Sequence, residues 1–338
     1  MSNTKTFTKD FTLQEPICDE GIEKALEILK SGKLHRYNVD PGEKGETALL
    51  EEEFAAYMGK KYCLACASCG SAMYLALKSA GVKPGDKVLC NAYTLAPVPG
   101  AIENSGAAIE LVDIIDDYTI DLDDLEKKAM AADTRWFMLS HMRGHITNMD
   151  RIMEICNTHD LVLIEDCAHT MGALWDKKKS GSFGKVACFS TQTYKHMNSG
   201  EGGLLVTDDP DLIARAIIYS GSYMLYERHT SRPGMDVFES LKTMIPNYSC
   251  RMDNLRAAIL RPQLKILDVQ CERWNKRYRI LEQGLIQIKG ITCPKRDSRE
   301  NYAGSSIQFS LINQDEKTIQ KFLARCKDQG VELKWFGN

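Results

Sequence analysis

Leu161-Val162-Leu163-Ile164-Glu165-Asp166-Cys167-Ala168-His169 reads as a short apolar strand that runs into an aspartate, with a histidine three places further on. Similar apolar stretches flank it at 62–67, 87–91, 108–113 and 135–140 on one side and at 186–190 and 203–206 on the other, mostly separated by helical stretches. Strand-helix-strand units with few hairpin signals imply a mainly parallel sheet covered by helices on both faces. Ligands of such sheets bind beyond the carboxyl ends of the strands, where Ser68, Asp166 and Ser190 fall.

Outside this alternation, residues 19–31 carry Asp19 as an N-cap, Ile22, Ala25, Leu26 and Leu29 at helical spacing, and Gly32 as a stop. A second amphipathic helix runs from Glu46 to Met58. Residues 253–284 read as a long helix with a kink at Pro262, and the tail as strand, helix (about 315–329) and strand (Val331 to Phe336). The expected organisation is an N-terminal arm and helix over 1–45, a large domain over 46–252, and a long helix with a small, shortened C-terminal domain over 253–338.

The 338 residues are 43% hydrophobic, enough for a substantial core. A net charge of −3 supplies no bulk attraction to nucleic acid or anionic membrane. The N-terminus has no apolar run of a signal peptide, and no stretch approaches the ~20 residues that span a bilayer, so a cytoplasmic protein is expected. Twelve scattered cysteines fit small core residues of a reducing compartment.

The chemistry centres on Lys195, in Phe189-Ser190-Thr191-Gln192-Thr193-Tyr194-Lys195-His196-Met197-Asn198-Ser199-Gly200-Glu201-Gly202-Gly203. A lysine just beyond a strand and before a glycine-rich turn can hold the aldehyde of pyridoxal phosphate, provided burial depresses its pKa. Asp166 then faces the pyridine nitrogen, and His169 hydrogen-bonds either the aspartate or the cofactor's phenolic oxygen. Ser68-Cys69-Gly70-Ser71 leads from a strand into a helix, so its amides and hydroxyls suit a phosphate, with Ser190 as a further donor. Each feature has a plainer reading: lysines are mostly exposed, and strand-end aspartates cap turns.

Other motifs are set aside. Cys63 and Cys66 of Cys63-x-x-Cys66-x-x-Cys69 sit in a strand, where a separation of three turns them to opposite faces. His141-x-x-x-His145 is interrupted by Gly144 and lacks the glutamate of a zinc-protease site. No metal site is expected. Neither a G-x-G-x-x-G after the first strand nor a P-loop occurs.

The chain resembles the DegT-type aminotransferases, which act on keto sugars and cyclitols and belong to the fold-type I pyridoxal phosphate enzymes. The resemblance runs through 54–62, Ser68-Cys69-Gly70-Ser71-Ala72, Pro84-Gly85-Asp86-Lys87-Val88, 164–169, Gly181-Ser182-Phe183-Gly184, the Lys195 segment and 251–258. It implies the Schiff-base lysine at Lys195, the ring-nitrogen partner at Asp166, a ring neighbour at His169, and phosphate ligands at Gly70, Ser71 and Ser190. It also implies a homodimer with the sites between subunits, in which Asn247 or Ser249 reaches the partner's phosphate. Related dehydratases carry histidine where Lys195 stands, so the lysine favours amino transfer from glutamate or glutamine to a keto sugar, cyclitol or related small ketone.

The chain also departs from that pattern. Leu95 stands where the family places an aromatic ring, leaving an aliphatic face or Tyr93 to clamp the cofactor. Arg143 stands where an aromatic or aliphatic residue is usual, and Arg228 belongs to a second basic cluster, so both are candidates for an anionic group on the substrate. The chain ends at Asn338, short of the usual length. A dehydratase, cyclase or other carbanion enzyme, and a silent regulatory homologue, are the alternatives to an aminotransferase.

Overall fold

The computed structural model describes residues 6–10, 13–131 and 134–336. Two helices, α1 (Asp19–Ser31) and α2 (Glu46–Met58), lead into β1 (Tyr62–Cys66). Then come α3 (Cys69–Ala80), β2 (Lys87–Asn91), α4 (Pro97–Asn104), β3 (Ala108–Val112), α5 (Leu122–Ala131), β4 (Trp136–Ser140), α6 (Met149–Thr158) and β5 (Val162–Asp166). The short strands β6 (Leu174–Trp175) and β7 (Lys178–Lys179) precede β8 (Val186–Ser190), β9 (Gly203–Thr207), α7 (Pro210–Gly221) and α8 (Met235–Glu239). The remainder holds α9 (Asn254–Lys265), α10 (Leu267–Leu285), β10 (Ile291–Thr292), β11 (Glu300–Asn301), β12 (Ser310–Leu311) and α11 (Glu316–Asp328).

The seven long strands form one sheet in the order β1-β9-β8-β5-β4-β2-β3, parallel except for β9, which runs against both β1 and β8. This is the expected α/β arrangement, a mainly parallel seven-stranded sheet sandwiched by helices. The strands β4, β8 and β9 are buried along their whole length, which is why they read as unbroken apolar runs. Successive side chains feed two separate cores. Phe137, Leu163, Phe189 and Leu204 pack on one face with Phe54 of α2, while Met138, Ile164, Cys188 and Leu205 pack on the other with Leu75 of α3. Cys63 joins the first core and Cys66 the second, as strand alternation requires, and Cys69, at the start of α3, also joins the second.

Helix ends follow local chemistry. Gly32, Gly59 and Gly81 take left-handed φ values of 69°, 65° and 105° and close α1, α2 and α3. The N-cap of α1 is Cys18, not Asp19; Asp19 and Glu20 occupy the first turn, where their charge complements the helix dipole. The long helix breaks at Ile266 (φ −111°, ψ 5°), not at Pro262, which lies inside α9. Proline frees only the carbonyl four residues before it, so the bonds beyond Pro262 continue until Ile266 turns back to Gln263 O at 3.2 Å.

The C-terminal part is joined to the large sheet region. β11 pairs antiparallel with β6, making a three-stranded sheet with β7, and β10 pairs with β12. The expected final strand at 331–336 is not formed: the segment is unpaired and lies along the mouth of the main cavity. Among the described residues no helix is long and apolar enough to cross a membrane.

Candidate active site

A cavity of about 1380 Å³ opens beyond the carboxyl ends of β1, β5 and β8. Asp166, the last residue of β5, is 5% exposed and forms part of its wall. One carboxylate oxygen accepts from Ser140 Oγ at the end of β4 (2.8 Å) and the other from the Ala168 amide (3.1 Å). Burial raises its pKa, and those hydrogen bonds together with the Lys195 charge oppose the rise. Its neighbour Glu165 points to the opposite face, where it accepts from the amides of Gly181, Phe183 and Gly184 at 3.0, 2.8 and 2.6 Å. Strand alternation thus separates a structural acid from one that faces the cavity.

Lys195 follows β8 in a turn closed by its amide on Gln192 O (2.9 Å). Its Nζ lies 3.0 Å from His169 Nε2. Burial lowers the lysine pKa, Asp166 pulling the other way. Burial also drives His169 down to about 2, helped by the charges of Lys195 and Arg143, so the ring is neutral beside the lysine. Of the two alternatives for His169, the bond to Asp166 is not made; its Nε2 meets Lys195 Nζ instead.

Ser68 caps α3: its Oγ accepts from the Ser71 amide (3.0 Å) and lies 3.0 Å from Ser71 Oγ. Ser71 therefore turns into the cap and is not part of the cavity wall, which at this end consists of Ser68, Cys69, Gly70 and Ser190. The amides of Cys69 and Gly70, in the first turn of α3, have no intrahelical acceptor and present a partial positive charge. Gly203, opposite both Ser190 and Cys66 in the sheet, lets β9 pass under this turn. A Cβ there would lie 2.4 Å from Ser68 O and 2.6 Å from Cys69 N.

The other sequence candidates divide. Leu95 lines the cavity and is 44% exposed, whereas Tyr93 lies outside the wall, against Tyr118 and Phe336 with ring centroids 5.6 and 5.9 Å away. Arg143 lines the cavity. Arg228 does not: it donates to Tyr37 O beside a buried cluster of Arg36, Glu51 and His229. Its place in the sequence beside His229 draws it to that cluster, not to the site. Asn247 and Ser249 are exposed and outside this chain's own cavity, with the Ser249 amide bonded to Asn247 Oδ1 at 2.8 Å. The metal-like histidines diverge, His141 to Glu165 (3.3 Å) and His145 to Gln308 (2.7 Å). His141, Glu165 and Cys167 carry donor atoms within 4.8 Å of one another, but this carboxylate already takes three backbone amides.

Sequence reasoning missed Gln14, Gln192, Tyr194, Trp274, Ser305 and Ser306 of the wall, and the C-terminal residues Lys327 and Lys334. Only the small polar run Gly304-Ser305-Ser306 was a signal in the sequence. His196 ties this outer wall to the lysine turn, its Nε2 lying 3.2 Å from Ser305 Oγ and its ring packing on Trp274.

Comparison with known proteins bears on the fold and the family. The chain is similar to GDP-perosamine synthase of Caulobacter vibrioides, 36% identical over 220 residues, which are 65% of this chain and 56% of the synthase. Its fold matches 3-amino-5-hydroxybenzoic acid synthase with a TM-score of 0.82 at 27% identity, covering 96% of this chain and 81% of that one. It also matches a GDP-4-keto-6-deoxymannose-3-dehydratase holding a trapped PLP-glutamate geminal diamine, with a TM-score of 0.80 at 23% identity over 96% of this chain and 85% of that one. Residues 17–336 match the model of the DegT/DnrJ/EryC1/StrS aminotransferases, and the chain belongs to that family of enzymes.

Proposed function

We propose that the protein is a pyridoxal phosphate-dependent aminotransferase that moves an amino group from glutamate or glutamine to a keto sugar, cyclitol or related small ketone. The observation that carries this reading is one cavity into which a half-buried lysine of lowered pKa, a buried aspartate of raised pKa and the N-terminus of α3 all open. These residues fit the cofactor. Cys69 and Gly70 amides with the Ser190 hydroxyl would hold its phosphate, Asp166 its ring nitrogen, Leu95 one ring face, and Lys195 its aldehyde. When bound, the cofactor supplies an electron sink for the carbon that loses or gains the amine.

The chain's own groups do the rest. Desolvation keeps a fraction of Lys195 unprotonated, so its Nζ can take a proton at the reacting carbon and return it. Neutral His169 meets that nitrogen and holds it toward the cavity. Asp166 keeps a proton on the ring nitrogen, Ser140 and the Ala168 amide holding the carboxylate in place. Asn247 or Ser249, exposed and outside this chain's own cavity wall, would complete the phosphate site of a second copy in a homodimer.

A dehydratase is the competing reading, because an enzyme of that kind shares the fold. Lys195, where related dehydratases carry histidine, favours amine exchange. Titrating pyridoxal phosphate into the full chain should produce a visible absorbance band, and borohydride should fix the cofactor on the peptide that contains Lys195. Lys195→Ala should lose both. Glutamate or glutamine should bleach the band and emerge as its keto acid by mass spectrometry. A band stable to both donors would reject amino transfer, and a band unchanged in Lys195→Ala would reject the lysine.

A further inference from the structure

Among the described residues of the cavity wall, Arg143 alone combines a side chain with left-handed backbone (φ 56°, ψ 19°). Gly144 follows at φ 84°, so the turn after β4 has two such residues in succession, and glycine would suit both positions better than arginine does. What the arginine supplies is a guanidinium in the cavity, close enough to Lys195 and His169 for its charge to disfavour protonation of each. Among the described residues that charge has no counter-ion. Arg151, Arg261 and Arg296 hold carboxylates, but Arg143 forms no ion pair among the described residues, and its Nε is buried without a hydrogen-bond partner. Its neighbours are the Phe336 ring, 6.0 Å from the guanidinium carbon, and Tyr93.

A half-buried cation on strained backbone, flanked by rings and aimed into a cavity, has the makings of an anion site whose ligand comes from outside the chain. We infer that Arg143 binds a carboxylate or phosphate carried by a substrate and holds it beside the Lys195 amine. The planar fork of a guanidinium matches either anion with two parallel hydrogen bonds. The identity of the ligand as a substrate rests on the amine exchange proposed above; the anion site itself does not. The anion has two possible sources, the carboxylate of the amino donor or an acid group on the acceptor.

Malonate, a small carboxylate probe, is titrated calorimetrically into the full chain with and without pyridoxal phosphate. Loading the cofactor occupies the Ser68–Gly70 turn, so binding that persists belongs elsewhere in the cavity. Arg143→Gln and Arg143→Gly should each weaken malonate at least about tenfold. The glycine variant suits the left-handed backbone and should melt no lower than the parent, which keeps the result readable if the glutamine variant folds poorly. Equal malonate affinity in parent and glycine variant would overturn the inference. Malonate that competes with glutamate for bleaching of the loaded protein places the site on the donor; malonate that binds without competing places it on the acceptor. Should the chain fail to take up the cofactor while Arg143-dependent malonate binding persists, the amine-exchange reading falls and the anion site stands.

Discussion

Lys195 Nζ lies 3.0 Å from His169 Nε2, although the two residues are 26 positions apart and project from the ends of different strands. Both belong to turns just beyond the sheet, and the register that pairs Asp166 with Cys188 brings those turns together. A histidine driven to about 2 stays neutral, so the contact orients the lysine without adding a second charge.

Asp166→Asn preserves size and the contact with Ser140 but removes the charge that holds a proton on the ring nitrogen. Cofactor uptake should survive, while amine transfer falls by about 100-fold or more, as for loss of an acid-base partner. Cofactor absorbance and single-turnover bleaching by glutamate separate the two effects.

Gly203→Ala sets a methyl 2.4 Å from Ser68 O, against backbone that cannot yield without moving the cap of α3. It should cost about 1–3 kcal/mol in urea unfolding and weaken pyridoxal phosphate binding. Gly100→Ala in α4, where nothing lies within 4 Å of the new methyl, should leave both close to the parent values.

Glu51→Gln strikes the buried pair that anchors residues 35–37 to β1. Arg36 donates to both carboxylate oxygens at 2.9 Å, and the Ala65 amide adds a third bond at 2.8 Å. Removing one charge leaves the other buried and unpaired, so the loss should be about 3–5 kcal/mol, read as a shift in the denaturation midpoint.

His229 gives the protein an acid limit. Burial, and then the charge of Arg36, lower its pKa from 6.5 to about 4. The unfolded ring takes a proton more readily than the native one, so the stability it contributes is complete above pH 6.5 and is lost as pH falls toward 4. Over that interval His229→Gln should lose less stability than the parent by on the order of 2 kcal/mol. Equal slopes in pH-dependent melting would remove His229 from the acid response.

The sheet and part of the site were legible because both are local. Each of the seven long strands announces itself by three to five apolar residues in a run of five, and the place of Asp166 at a strand end follows from the same run. Ser71 was legible as part of the strand-to-helix turn but not as part of the cap, since the partner of its amide depends on the χ angle of Ser68. Arg143 and Arg228 looked alike in sequence, each a basic residue in a short turn. One faces the cavity and the other a main-chain carbonyl 191 positions away.

The order of residues by itself determined the alternation of strands and helices, the crevice at the strand ends and the positions of Lys195 and Asp166 on it, because periodicity and strand polarity act over a few neighbours. Only the tertiary structure decided which cation enters the cavity, that Trp274, Ser305 and residues 327–334 close its outer wall, and that Arg36 meets His229 across 193 positions. Those contacts are made between turns and tails, whose side-chain directions are set by what packs against them and not by any repeat within the turn itself.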